Sequence, residues 1–257
     1  MTQTNNRFFD EIGRLMNDAA GAAQGVKREF DSVMRNQAEK ILRDLDVVKR
    51  EEFEAVKDMA RRLGTSGYYV MLPNLYYRSG VMELGPLPAD PESPERKRMF
   101  QLMNSINIPL IMEDTRGLLA YADGQPAARA DIVGTVGYCM SGRYAINAAT
   151  HFPERVKAAA SIYGTHLATD QPDSPHLAGK KTKAELYFGC AETDVYAPME
   201  IIEKVQQGVK DGDANAEVEI YPGTHHGFAF PRRPVYHRDA AERHWERLLA
   251  LYRRNLG

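Results

Sequence analysis

The sequence predicts an α/β protein, a mostly parallel sheet covered by helices on both faces, preceded by a separate amphipathic helical segment. Three observations carry this prediction. From Gly67 onward, short runs rich in β-branched and aromatic residues alternate with helical stretches. Composition breaks near residue 60: all 14 prolines lie between Pro73 and Pro234, all 13 tyrosines from Tyr68 onward and all 7 histidines from His151 onward. The residues before the break carry apolar side chains at helical steps instead. Strand-helix alternation favours parallel pairing, because each parallel pair needs a long crossover and the crossovers cover both faces.

In chain order, the first stripe runs through Phe8, Ile12, Leu15, Ala19, Ala23, Val26, Phe30 and Val33. After a phase slip it resumes at Met34, Ala38, Ile41, Leu45 and Val48, then Val56 and Met59. Residues 1-62 hold 12 basic and 12 acidic side chains, so this polar face is neutral. A neutral amphipathic helix packs against protein, or against its own copies, in preference to lipid. Gly21 and Gly25 can break or bend the first helix, each costing about 1 kcal/mol relative to alanine. Strands are predicted at Tyr68 to Leu72, Ile132 to Val136, Val156 to Ile162, Glu185 to Phe188 and Val218 to Tyr221. Helices are predicted at Glu95 to Ala122, Arg143 to His151, Pro198 to Lys210 and Asp239 to Leu256.

Thirty-three Lys+Arg against 35 Asp+Glu give a net charge of -2 without a basic stripe, which argues against a nucleic-acid partner. The longest apolar runs, such as Ile108 to Met112, fall far short of a membrane span. The polar start Met1 to Asn6 has no basic region followed by an apolar one, so a cytoplasmic location is expected. Cys139 and Cys190 form neither a disulfide framework nor a zinc site, and a reducing compartment keeps both as thiols.

The strand ending in Val136 runs into Gly137-Tyr138-Cys139-Met140-Ser141-Gly142, and a helix starts at Arg143. This is the setting of a nucleophile elbow, with small residues two positions either side of the reactive one because the turn brings backbones close. Cys139 is the candidate nucleophile, with Ser141 a rival. The helix N-terminus beneath Cys139 favours a thiolate, and the Met140 backbone N-H is the candidate oxyanion donor. Cys190, at the end of a strand, reads as a small core hydrophobe.

A thiol nucleophile needs a base held by a carboxylate, supplied here in the order nucleophile, acid, histidine. Asp194 follows the Glu185 strand and His226 follows the Val218 strand, both at the strand ends where ligands collect in parallel sheets. Glu192 competes with Asp194, whose bland alternative is a helix cap before Pro198 or a turn residue, and His226, directly before Gly-Phe, is chosen over His225 as the base. No Cys/His/Asp set at metal spacing lies near the histidines, so no metal and no cofactor is implied.

These motifs resemble the dienelactone hydrolase family of α/β hydrolases from about Asp58 to the C-terminus. Gly137 to Gly142 matches the family's cysteine elbow, the Asp194 loop its acid and His226-Gly227-Phe228 its base. Pro73-Asn74-Leu75-Tyr76-Tyr77-Arg78 resembles the segment whose arginine contacts the substrate carboxylate, making Arg78 the candidate anion contact. Residues 1-60 resemble a different family, the membrane-fusogenic proteins, which include an accessory factor of ubiquinone biosynthesis. The resemblance rests on Asn5 to Asp10, Asp18 to Gly25 and Arg50 to Lys57.

Together these resemblances imply two domains, a helical segment over 1-60 and a hydrolase domain over 61-257. The latter lacks the family's first strands, one of which normally lies between the Tyr68 strand and the nucleophile strand. The missing part also carries a second oxyanion donor, and losing one such donor typically costs about 10²-10³ in rate. The function expected is hydrolysis of a small ester or lactone by a Cys139-His226-Asp194 triad. The alternative is a helical self-association or membrane-surface module joined to an inactive hydrolase domain.

Overall fold

The computed structural model describes residues 57-80, 90, 92-231 and 233-257. All fall in the compact unit Glu51–Gly257. The apolar stripe expected from Phe8 to Val56 lies outside the described residues. Helix α1 is described over 57-65, followed by α2 (Pro94–Asn104), α3 (Ile108–Asp123), β1 (Val133–Tyr138) and α4 (Gly142–His151). Then come β2 (Val156–Ile162), β3 (Glu185–Thr193), α5 (Met199–Asp211), β4 (Ala216–His225) and α6 (Arg238–Leu256).

The four strands form one parallel sheet in the order β1-β2-β3-β4, each pair joined by a crossover. Helices α4, α5 and α6 occupy their predicted places, with ends shifted by a residue at most. The strands are longer than expected at β3 and β4. Two expectations fail. The stretch Glu95 to Ala122 is two helices, because Asn107 accepts the Leu110 amide at 2.9 Å and Pro109 follows, together restarting a helix. Tyr68 to Leu72 is extended without ladder pairing. Its β-forming residues supply the conformation, but a strand needs a partner, and β1 pairs only with β2 among the described residues. Tyr68 and Val70 are held by side-chain packing instead, the Tyr68 ring meeting Tyr252 edge-on at 5.5 Å.

Strand periodicity sorts the core into two layers. Leu186, Phe188 and Cys190 of β3 point to the layer formed with Ile146 of α4 and Ile202 and Val205 of α5. Tyr187 and Ala191 point to the other, where α6 contributes Ala241, Trp245, Leu248 and Leu251. β2 does the same with Ala159 on one side and Ala158, Ala160 and Ile162 on the other, its small side chains letting helices approach closely. Each fully buried aliphatic or aromatic side chain contributes about 1.5-3 kcal/mol. The two layers fix the C-terminal ends of all four strands along one edge of the sheet.

Candidate active site

β1 ends at Tyr138, Cys139 turns the chain with φ 54°, and α4 begins at Gly142. A non-glycine residue in this left-handed region costs roughly 1-3 kcal/mol and persists only where its surroundings impose it. The surroundings here are explicit. The Tyr138 amide donates to Ser141 Oγ at 2.8 Å, and the Ser141 hydroxyl donates back to the Tyr138 carbonyl at 2.8 Å. Ser141 is thus tied to the backbone of the turn. A Cβ on Gly137 would collide with the Ser141 carbonyl, and one on Gly142 would collide with Ser161 Oγ. Small residues bracket Cys139 because backbone lies where side chains would go.

The loop after β2 is tied both to the turn and to β3. The Thr165 amide donates to the Cys139 carbonyl at 3.1 Å, and the Tyr163 amide to Gly189 at 2.7 Å. Tyr163 and His166 also have positive φ, 36° and 55°. Three strained residues gathered at the ends of adjacent strands mark a functional site.

Asp194, the first residue after β3, is buried. Its Oδ1 accepts the Tyr196 amide at 2.8 Å, and its Oδ2 lies 2.7 Å from His226 Nδ1. Glu192 instead faces outward and accepts the Gly223 amide at 2.8 Å. His226 stands between Tyr163 and Tyr196, whose rings lie 5.2 and 4.8 Å away. It meets both Asp194 and the Cys139 thiol as hydrogen-bond partners. Burial of the ring opposes its charge, but the hydrogen bonds and charges of Asp194 and Cys139 prevail, raising the His226 pKa to about 9. The structure therefore brings Cys139, His226 and Asp194 together.

Met140 follows Cys139 in the turn leading into α4, where first-turn amides have no intrahelical acceptor. The Tyr76 hydroxyl contacts Met140 Sδ at 3.5 Å, which puts the 74-78 segment beside the elbow. Arg78 forms a two-pronged ion pair with Asp114, with 2.6 Å to each carboxylate oxygen, and Tyr77 donates to the same group at 3.0 Å. Cys190 is in the core, its thiol pushed up to about 12 by burial and by the Asp194 charge. The sequence reading missed Tyr163 and Tyr196, whose rings flank His226, and His166, whose loop is held to Cys139 through the Thr165 amide. The rule that sites gather at the C-terminal ends of parallel strands could have found Tyr163 and His166, which follow β2 directly.

An elbow leading from strand to helix after β1, with a carboxylate after β3 and a histidine after β4 on a parallel sheet, has the arrangement of an α/β hydrolase. Comparison with known proteins narrows the class. The family model for the dienelactone hydrolase family matches residues 41-256. The chain belongs to that family and is a hydrolase of dienelactone hydrolase type. A second model, for membrane fusogenic activity, matches residues 3-66.

A Synechocystis sp. protein named "Putative carboxymethylenebutenolidase" is 28% identical over 207 residues, covering 78% of this chain and 80% of its own. An Escherichia coli K12 protein of the same name is 27% identical over 206 residues, covering 78% of this chain and 72% of its own. A crystal structure from Klebsiella pneumoniae, titled as a "Putative Dienelactone Hydrolase", superposes with a TM-score of 0.65 at 25% identity. It covers 77% of this chain and 80% of that one. Among the described residues, no helix is long and apolar enough to cross a membrane.

Proposed function

We propose that the chain is a cysteine-dependent hydrolase of small esters or lactones, with Cys139 as nucleophile, His226 as proton carrier and Asp194 as the group that holds His226. The observation that supports this most strongly is that His226 meets both Asp194 and the Cys139 thiol, on a ring whose pKa is raised to about 9. An imidazole so placed takes the thiol proton. The thiolate attacks the substrate carbonyl, and the Met140 amide receives the developing oxyanion. When the tetrahedral intermediate collapses, the C-O bond breaks and the His226 imidazolium gives its proton to the leaving alkoxide. Neutral His226 then takes a proton from water, whose oxygen attacks the thioester. Collapse releases the acid and restores the Cys139-His226 pair.

Arg78 is proposed as a substrate contact because its segment reaches the elbow through Tyr76. A bound carboxylate there has to share the guanidinium with Asp114. No cofactor or metal enters these steps. A free thiol nucleophile suits a reducing compartment, and we place the protein in the cytoplasm.

Turnover of a generic aryl ester by the purified chain beside Cys139→Ala tests the reading. Loss of turnover in the variant is expected, and equal rates overturn it.

A second reading concerns residues 1-60, proposed as a domain distinct from 61-257. Their match to the membrane fusogenic model favours a module for self-association or membrane-surface contact. Sedimentation of the chain with and without anionic vesicles tests it. A monomer that ignores vesicles removes it.

A further inference from the structure

The two aromatic rings that border His226 differ in what covers them. Tyr163, 5.2 Å away, is 1% exposed and closes the inner side of the imidazole. Tyr196, 4.8 Å away, is 56% exposed. The chain beside it continues the pattern, with Val195 84% exposed and Met199, which opens α5, 41% exposed. A valine, a tyrosine and a methionine left to solvent within five residues form an apolar patch, and such a patch at a site marks a surface that something apolar covers. The loop that carries it is held firmly. The Tyr196 amide donates to Asp194 Oδ1 at 2.8 Å, and Ala197 is buried. Its two carboxylates are engaged, Asp194 by Tyr196 and His226, Glu192 by the Gly223 amide. What the loop presents beside the imidazole is therefore apolar.

The path of the proton says which part of a substrate meets this surface. When the tetrahedral intermediate collapses, the C-O bond breaks and the imidazolium proton goes to the leaving oxygen, which has to lie within hydrogen-bond reach of the ring, roughly 3 Å. The acyl carbon stays on Cys139 Sγ. The group carried by the leaving oxygen thus starts at His226. Because Tyr163 closes the inner side, that group extends outward past Tyr196, whose ring offers contact to alkyl and aryl groups alike.

We infer that Tyr196 forms the subsite for the alcohol portion of the ester, with Val195 and Met199 extending the same apolar lip, and that the substrates are esters whose alcohol portion is an apolar alkyl or aryl group. This rests on the roles proposed above for Cys139 and His226. Tyr196 acts on binding alone, since no proton passes through it. Its ring is required and its hydroxyl is dispensable.

The test uses 4-alkylphenyl acetates from methyl to butyl, which lengthen the alcohol portion at nearly constant leaving-group basicity. Beside them, 4-methylphenyl esters from acetate to pentanoate lengthen the acyl portion by as many methylenes. Full burial of a methylene is worth about fourfold in binding, and part of the group stays wet at an exposed lip, so kcat/KM should rise roughly twofold per methylene along the first series. Tyr196→Ala should flatten that rise and leave the slope of the acyl series as it is, whereas Tyr196→Phe should keep both. Slopes compare members of one series, so a uniform loss of rate from a displaced His226 cancels. Tyr121→Ala removes a ring that is 58% exposed at the far end of the sheet, where Asp123 pairs with Arg155 ahead of β2, and should change neither slope.

A second readout needs no turnover. 4-Alkylphenols, the released alcohols, should protect Cys139 from iodoacetamide at concentrations that fall with alkyl length in the wild-type chain and no longer do so in Tyr196→Ala. A rise that survives Tyr196→Ala, an acyl series flattened as much as the alcohol series, or protection indifferent to alkyl length in the wild-type chain overturns the subsite. Failure of the nucleophile reading looks different: Cys139→Ala then turns over both series at the wild-type rate, and iodoacetamide labels Cys139 equally fast with and without His226→Ala.

Discussion

Asp194 Oδ2 lies 2.7 Å from His226 Nδ1 on a carboxylate whose side chain is 1% exposed, with its other oxygen held by the Tyr196 amide. The imidazole is thereby fixed in one tautomer with Nε2 left for Cys139. Asp194→Asn preserves the shape but offers an amide in place of the charge. Activity on a responsive ester should fall by roughly 10³-10⁴, the scale seen when a triad carboxylate is neutralised. The His226 pKa should drop toward its ordinary value, visible in an NMR titration of the ring protons. A variant with wild-type kcat and an unmoved His226 pKa would falsify the role given to Asp194.

The φ of 54° at Cys139 predicts a conflict between stability and function. Left-handed backbone costs an ordinary L-residue roughly 1-2 kcal/mol and glycine almost nothing. Cys139→Gly should therefore be more stable than Cys139→Ala by about 1 kcal/mol in urea denaturation, although both lack the thiol. Equal stabilities would mean that the turn relaxes when the sulfur is removed.

Gly137 makes the opposite prediction. A methyl group there meets the Ser141 carbonyl, which is backbone and cannot rotate away. Gly137→Ala should destabilise the fold by roughly 3 kcal/mol or more, since overpacking against main chain exceeds the cost of crowding a side chain. Gly64→Ala, with nothing within 4 Å of the added carbon, serves as the control and should change stability little. Similar midpoints for the two variants would contradict the packing described for the elbow.

The elbow was legible in the sequence because its constraints are local: Gly137, Cys139 and Ser141 lie within five residues, and backbone sterics alone dictate their sizes. The partners of Cys139 were legible in a second way, as Asp194 and His226 each follow a readable strand. Tyr68 to Leu72 was misread because its residues favour extended backbone, whereas pairing depends on a neighbour that β1 does not provide among the described residues. The break at Asn107 was lost within a run of apolar residues, although the Asn-x-Pro start signal was present. The charge state of Arg78 was visible, but its Asp114 partner, 36 residues away in the chain, was not.

Two histidines, one half-buried and one fully buried, predict the shape of the stability curve against pH. For His226 the folded pKa of about 9 lies above the ordinary 6.5. The folded state then binds more protons than the unfolded one between these values, and stability falls as pH rises through that window, by about 1.4 kcal/mol per pH unit. His244 does the reverse. It is fully buried, accepts the Tyr138 hydroxyl at 3.1 Å and, because burial disfavours its charge, has its pKa lowered to about 4. Between 4 and 6.5 the unfolded state binds the extra proton, so stability falls as pH drops. Denaturation midpoints should therefore peak near pH 6.5, where the two windows meet. His226→Gln should flatten the alkaline limb, and His244→Gln the acidic limb between pH 6.5 and 5, above the range where Asp114, Glu185 and Glu219 titrate. If either limb survives its substitution intact, the burial and pairing described for that histidine do not govern its protonation.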